Sequence, residues 1–373
     1  MRFCIPADFS HDTVEKIGQL HIVYSEHAVE EVYGNITPTP ILGSGRGWRQ
    51  DNLSLNNFRT LEDYIKKLNE YNILFNYTIN SSCTANMELD PLGLKKILKF
   101  VDMLREIGTK RLTVASPVLI GILARQFKDM EVTASVISYT NTTKRALEMK
   151  RMGVKTIALD EDMTRHFKAI EMIHQYADVD LEIIVNSMCH YNCLFRANHY
   201  NALAHNKDAT QETYLDYYTD KCLLYRKDNL EEYIKIPWIR PEDIKYYEAL
   251  GVKLFKIIGR EIIDQMDIIR MLICYFERKF DGNLLELIYG FSNKPTVYID
   301  NKKLEGFIDK FKNTYTCNLW CGTVKCNYCS HYAKKAITIK NKNVTFETKK
   351  LEDIETYGVI EYASQLEILE GMV

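Results

Sequence analysis

The feature that most constrains the fold is an alternation of short β-rich runs with longer helical patterns. Apolar runs separated by helices indicate βαβ units and a parallel sheet that is buried on both faces. The eight β-rich runs cover residues 2–6, 21–25, 73–80, 111–116, 131–139, 155–160, 181–186 and 253–259. Eight strands in this order predict an α/β chain folded as a (β/α)₈ barrel, and a doubly wound open sheet is the alternative.

Two long helical patterns support this reading. Residues 92–108 and 141–153 each lie between two of the runs. In the second pattern, Asn141 is placed to cap the helix and Gly153 to end it. These signals are typical of helices that cross from one parallel strand to the next.

Two stretches break the alternation and set the domain boundaries. Residues 187–252 form a long insertion after the seventh strand, and long insertions in compact domains are usually functional. From residue 281 the pattern changes and becomes rich in cysteine. We therefore expect a barrel over 1–280 and a small cysteine-rich appendage over 281–373.

The charge and hydropathy of the chain limit the kinds of partner that we expect. The formal net charge is −2, so no global positive field attracts nucleic acid. The sequence has no run of 18 apolar residues and no apolar amino-terminal signal. We expect a cytoplasmic protein with a small-molecule or peptide substrate and no membrane partner; RNA is less favoured by the charge.

The ten cysteines are unusual for a chain without an export signal, and in such chains clusters of cysteine more often bind metal than form disulfides. Cys83 follows the third strand, Cys189 and Cys193 follow the seventh, and Cys222 lies in the insertion. Cys4 is expected at the end of the first strand. Five thiols would then share the carboxyl-terminal face of a barrel, where catalytic groups lie.

The appendage carries four more cysteines within 13 residues, in the segment CNLWCGTVKCNYC. Four thiolates this close can surround one metal centre, and the spacing leaves zinc and an iron–sulfur cluster equally open. The four are Cys317, Cys321, Cys326 and Cys329. Cys274 lies in an apolar helical pattern and is interpreted as a core residue.

The insertion resembles a known family. The segments VNSMCHYNCLFRANHYN, YTDKC and IPWIRPEDIKYYEALGVKLFKIIGRE are similar to peptidase family U32, the collagenase-like peptidases. The similarity covers about residues 1–280. The resemblance implies an oxygen-independent iron–sulfur protein, because such relatives hold a 4Fe–4S cluster on four cysteines and help to hydroxylate quinone precursors or RNA bases.

Carried onto this chain, the resemblance implies Cys189, Cys193 and Cys222 as ligands of a 4Fe–4S cluster, with Cys83 as the fourth. The tail set would then be a second cluster, a zinc site, or the source of a thiol for the first. A related subunit as a hetero-oligomeric partner is also compatible with the resemblance.

Polar residues near predicted strand ends are candidates for chemistry. Arg196 and His199 share a helical face beside the candidate thiols, and His199 could be an acid–base group or support a ligand. Lys256 and Arg260 lie at the end of the last strand and could contact a reacting group. We interpret these four as candidate catalytic residues.

Three further residues are candidates for substrate binding. Arg240 and Glu242 flank Pro241, and guanidinium groups bind carboxylates in a bidentate fork. They could instead pair with each other at a helix start. Arg46 lies in the glycine-rich segment GSGRGWRQ, which is neither a P-loop nor a dinucleotide fingerprint, and could reach an anion at the barrel mouth or only solvate the surface.

Three functions remain open from the sequence. The leading hypothesis is an iron–sulfur enzyme or enzyme subunit that acts without oxygen. The rivals are a metal-dependent or cysteine peptidase, with Cys193 and His199 as a nucleophile–base pair, and a binding module with structural metal. If the tail set closes locally, removal of residues 311–373 leaves the first cluster on the barrel.

Overall fold

The computed structural model describes residues 1–36, 58–205, 217–293, 295–313, 317 and 321–339. Its centre is a closed barrel of eight parallel strands in sequential order, so the (β/α)₈ prediction is confirmed and the open sheet is excluded. Strand β1 pairs with β2 on one side and closes the barrel on β8, where Cys4 is level with Lys256. The strands are β1 (Arg2–Pro6), β2 (Ala28–Gly34), β3 (Leu74–Ile79), β4 (Arg111–Val114), β5 (Glu131–Ala134), β6 (Thr156–Ala158), β7 (Asp180–Ile184) and β8 (Val252–Lys256).

The second strand lies seven residues later than the sequence indicated. His21 to Val23 form the last turn of a helix, because Val14, Ile17 and Leu20 recur on its buried side while Ile22 and Val23 face solvent. The true strand contains Glu30 and Glu31, which made it look polar. Glu31 is nevertheless buried inside the barrel, where Arg111 binds it.

Helices surround the barrel and cover its strands. In α2, for example, Leu61, Ile65 and Leu68 lie on one buried face. The helices of the barrel and its insertion are α1 (His11–Val23), α2 (Phe58–Asn69), α3 (Pro91–Glu106), α4 (Pro117–Gln126), α5 (Thr143–Arg151), α6 (Phe167–Ala177), α7 (Arg196–Ala204), α8 (Tyr217–Asp228), α9 (Glu232–Lys235), α10 (Ile244–Ala249) and α11 (Ile268–Phe276).

Helix α5 begins one residue later than expected. The side chain of Thr142, not Asn141, accepts the hydrogen bond from the backbone N–H of Arg145. Gly153 follows the helix with φ of +100°, a left-handed conformation that glycine adopts readily. The expected helix end is therefore confirmed.

The segment from residue 281, interpreted from the sequence as an appendage, packs on the barrel and shares its hydrophobic core. It contains α12 (Leu284–Ile288), β9 (Val297–Ile299), α13 (Asp309–Asn313), α14 (Tyr328–Ala336) and β10 (Ile337–Ile339). Strands β9 and β10 pair antiparallel. Within the described ranges, no helix is long and apolar enough to cross a membrane.

Candidate functional site

The loop that follows β7 is hydrogen-bonded to the buried carboxylate of Glu161. Ser187 donates a hydrogen bond to Glu161, and the hydroxyl of Tyr200 donates a second at 2.5 Å. The backbone N–H of Cys189 in turn donates to Ser187 Oγ at 3.2 Å. Burial acts to raise the pKa of Glu161, but the charge of Arg196 and the hydrogen bonds from Ser187, Tyr200 and Cys189 bring it below its usual value. Glu161 is therefore an ionised carboxylate, and its hydrogen bonds hold the loop that contains Cys189.

Arg196 fixes the other end of this loop. Its two terminal nitrogens donate to the two oxygens of Asp162 at 2.8 and 2.9 Å, and one of them also reaches the carbonyl of His190 at 2.7 Å. A third carboxylate contact goes to Asp160 at 3.2 Å. Arg196 is buried at the first residue of α7. Its guanidinium thus ties the loop after β7 to the loop after β6.

Helix α8 brings Cys222 to the same loop. The carbonyl oxygen of Cys222 lies 3.3 Å from His190 Nε2, and Arg226 donates to the carbonyl of Met188. Burial raises the pKa of the Cys222 thiol, Arg226 opposes this, and the nearby Cys193 adds to it. Cys193 and Cys222 therefore lie in the same region of the mouth, and their role as ligands stays a prediction.

His199 links the two helices of this region. Its ring stacks on that of Tyr218 with centroids 5.1 Å apart, so it connects α7 with α8. It is half-buried. Its candidate acid–base role stays a prediction.

Cys83 lies on the same face, in the loop that follows β3. Ser81 donates to its carbonyl at 2.6 Å, and Ser82 donates to Asn201 of α7 at 2.8 Å. Cys83 also lines a cavity of about 530 Å³, of which Tyr139 forms another wall. The Tyr139 ring lies 6.4 Å from the ring of Tyr200, which binds Glu161, so this wall of the cavity adjoins the group that holds the Cys189 loop.

The tail cysteines pack against a buried cation. The Arg165 guanidinium donates to the carbonyls of Ile234 and Ile236 at 2.6 and 2.8 Å and lies 5.1 Å from the Phe307 ring. Burial raises the pKa of Cys329 to about 11, and the charge of Arg165 opposes this shift. Burial also raises the pKa of Cys317, and the charge of Arg165 again opposes this shift.

Lysines complete the surroundings of the tail set. Lys310 Nζ lies 3.9 Å from the sulfur of Cys326. Burial raises the pKa of Cys321, and the charge of Lys235 opposes this shift. Four thiols among cations are a suitable donor set for an anionic iron–sulfur cluster, because the cations offset the negative charge of the thiolates. A zinc ion would use the same donors.

Tyr191 connects the two sets of cysteines. It lies in the sequence between Cys189 and Cys193, and its hydroxyl is 2.8 Å from His166 Nε2. Burial raises the pKa of Cys317, and a hydrogen bond from Tyr191 opposes this shift. The tail set therefore lies directly against the loop that carries the first set.

The barrel interior holds a second polar group of residues. Lys256 donates to Glu182 at 2.9 Å and lies over the Tyr33 ring at 4.3 Å. Cys4 is wholly buried in the middle of β1 and donates to Glu31 at 2.9 Å. Cys4 is thus not at the strand end, and the expectation of five thiols at one face was wrong for this residue.

Among the residues described, Cys4, Glu31 and Glu182 form the one group of three ligand atoms within 4.8 Å of each other. Two cations, Lys256 and Arg111, already bind the two carboxylates. Each of the two carboxylates thus already has a cation, although Arg111 is shared with Glu30 and Glu131.

Arg260 has different surroundings from Arg240 and Glu242, which bind other residues and do not pair with each other. Arg260 reaches across the mouth and donates to Asn35 and Thr78, both at 2.7 Å. Arg240 instead binds Asp243 and the carbonyl of Asn301, while Glu242 accepts from Asn301 and from the backbone of Phe280. These contacts attach the appendage to the barrel. Arg46 lies outside the described residues.

Several residues of the site were not foreseen. Asp160, Glu161 and Asp162 follow β6 directly, so the strand-end rule that selected the cysteines would also have selected them. No sequence signal places Arg165 or Tyr191 beside the tail cysteines, because that contact joins segments more than 120 residues apart.

Known proteins resemble this chain in sequence and in fold. The model of peptidase family U32 matches residues 46–275. A protein of Methanocaldococcus jannaschii named "Uncharacterized protease MJ1657" is 34% identical over 285 residues, which cover 76% of this chain and 83% of that protein. The structure titled "The Structure of the U32 Peptidase Mk0906" superimposes with a TM-score of 0.50 at 16% identity and covers 69% of this chain and 92% of that one. The structural likeness supports the fold.

Proposed function

We propose that this chain, which belongs to peptidase family U32, is an iron–sulfur enzyme or enzyme subunit whose cluster lies at the carboxyl-terminal face of the barrel. Its reaction would be the oxygen-independent hydroxylation, or a related modification, of a small-molecule, peptide or RNA substrate.

One observation carries this proposal. The carbonyl of Cys222 in α8 lies 3.3 Å from His190 in the loop that carries Cys189 and Cys193, and Glu161 and Arg196 fix that loop at both ends. This contact supports a shared site for Cys189, Cys193 and Cys222 at the face where barrel enzymes carry their catalytic groups. Cys83, tied to α7 through Ser82, is the proposed fourth ligand.

The residues around the thiols have separate proposed roles. A bound cluster would supply electron transfer. Arg260, held by Asn35 and Thr78 at the mouth, would orient an anionic group of the substrate. His199, in the helix beside the thiols, would hold or move a proton.

A peptidase is the second candidate, favoured by the name of the curated relative. It would use Cys193 as nucleophile and His199 as base, which a metal-ligating Cys193 could not do. Cleavage of casein or collagen by metal-free protein, abolished in Cys193→Ala, would favour this function.

The proposal is tested by anaerobic purification followed by analysis of iron, sulfide and zinc. We expect roughly four irons and four sulfides for each cubane cluster, together with visible absorbance from sulfur-to-iron charge transfer. Protein that contains zinc alone, after reconstitution with iron and sulfide has been attempted, would refute the proposal.

A further inference from the structure

Of the four proposed cluster ligands on the barrel, only Cys83 lines the cavity described above. Its volume of about 530 Å³ is in the range of small-molecule sites. It opens on the carboxyl-terminal face, between the loops that follow β3, β4 and β5. A ligand in it would lie beside the proposed fourth ligand of the cluster.

The backbone around the cavity is conformationally strained. Ala85, Asn86 and Tyr139 have φ of +50°, +62° and +52°. Left-handed conformations are unfavourable for residues with a side chain, and they persist mainly where a binding or catalytic site requires them. All three lie in two loops that line the cavity, and they are three of the nine non-glycine residues with positive φ in the described ranges.

The charges of the lining favour a cation. At the exposed rim, Arg145 and Glu148 offset each other, and Arg145 donates to the carbonyl of Tyr139 at 2.6 Å. Further in, Glu88 accepts hydrogen bonds from Thr84 and from Ser116. Among the described residues, no cation lies within ion-pair distance of Glu88.

The position of Glu88 explains why a carboxylate is tolerated there. Ser116 is the N-cap of α4, and the start of a helix favours a negative charge. The two hydroxyls hold the carboxylate in place but add no positive charge. An incoming ammonium group could therefore pair with it.

We propose that this cavity binds a small organic cation, with an ammonium group at Glu88 and an apolar body against Met149 and Met152. Methionine side chains are polarisable and adapt to the shape of such a body. The inference concerns the ligand of the cavity and does not depend on whether iron is bound at the cysteines.

The test compares three ligands with the same carbon chain: n-butylamine, n-butanol and butyrate, each added at constant pH to the full chain labelled with ¹³C-methyl methionine. Met149→Leu and Met152→Leu assign the two signals. We expect butylamine to shift both signals saturably, with affinity about tenfold above that of butanol, since hydrogen bonds to charged groups contribute about 1.5–3 kcal/mol.

The matched variants are Glu88→Gln and, as control, Glu106→Gln at the exposed end of α3. The preference for the amine should disappear in the first variant and persist in the second. Equal or stronger binding of butanol or butyrate to the wild-type chain, or no shift at either methionine, would overturn the inference. Iron analysis of the same samples keeps this outcome separate from the proposed function.

Discussion

Buried charged side chains determine many of the polar contacts inside the barrel. Glu182 is fully buried and receives one hydrogen bond from Lys256, and its second oxygen has no partner among the described residues. Burial raises the pKa of Glu182, and Lys256 opposes that shift. Lys256 is therefore best explained by its pairing within the barrel, and its proposed contact with a reacting group stays a prediction.

Replacing Lys256 by Met should be strongly destabilising. It leaves the Glu182 carboxylate buried without a cation, and removal of one partner of a buried pair costs about 3–5 kcal/mol. The double variant Lys256→Met, Glu182→Leu should recover much of this loss, because it removes the unpaired charge. Urea unfolding measures both; equal stability of the single variant and the wild type would contradict the pairing.

Glu161 gives a second prediction at the residue scale. Glu161→Gln keeps the shape but removes the charge that accepts from Ser187 and Tyr200. We expect the Cys189 loop to loosen and iron content to fall at least about twofold, since hydrogen bonds to charged groups contribute about 1.5–3 kcal/mol. Glu171→Gln, at an exposed ion pair with Lys168, is the control and should retain its iron. An unchanged iron content in Glu161→Gln would refute this role.

At the scale of elements, the appendage is attached to the barrel through aromatic and polar contacts. Phe307 lies 5.2 Å from the Trp238 ring and 5.5 Å from the Tyr328 ring, with Arg165 over its face. Helix α14 packs on α9, and Ser330 donates to Glu231 at 2.8 Å. The tail cysteines are thus held against the insertion by α14 and by the aromatic group.

Phe307→Ala should loosen this attachment. Truncation of a buried phenylalanine costs about 3–5 kcal/mol, and here it also removes the ring that covers Arg165. Hydrogen exchange should become faster in α9 and α14 while the barrel strands keep their protection. Val324→Ala, at a fully exposed position of the tail, is the control. Unchanged exchange in α14 of Phe307→Ala would contradict this account.

The sequence predicted the elements better than it predicted the contacts between them. Apolar runs located seven of the eight strands, because parallel strands are buried on both faces. The sequence pattern missed β2, because this strand contains Glu30 and Glu31. In the structure these two residues are paired with Arg2 and Arg111 from other strands. The same limit applies to the site: the strand-end rule selected Cys189, but the partners of Glu161 and Arg165 depend on packing between distant segments.

At the scale of the whole molecule, the appendage and the barrel share one region. Tyr191 contacts His166 and the sulfur of Cys317, and His190 lies between the carbonyl of Cys222 and Glu232 of α9, at 3.3 Å from each. Two cysteine sets that are separate in the sequence therefore lie on either side of one loop. We expect two clusters close enough to influence each other, each held by its own set.

The most direct measurement of this account is the iron and sulfide content of two full-length variants, purified anaerobically. One replaces Cys189, Cys193 and Cys222 by Ser, and the other replaces Cys317, Cys321, Cys326 and Cys329. Cys274→Ser, in the core helix α11, is the control, and circular dichroism checks folding. We predict about eight irons in the wild type and the control and about four in each variant. Loss of all iron in the tail variant, or no loss in the barrel variant, would contradict the claim that each set holds its own cluster.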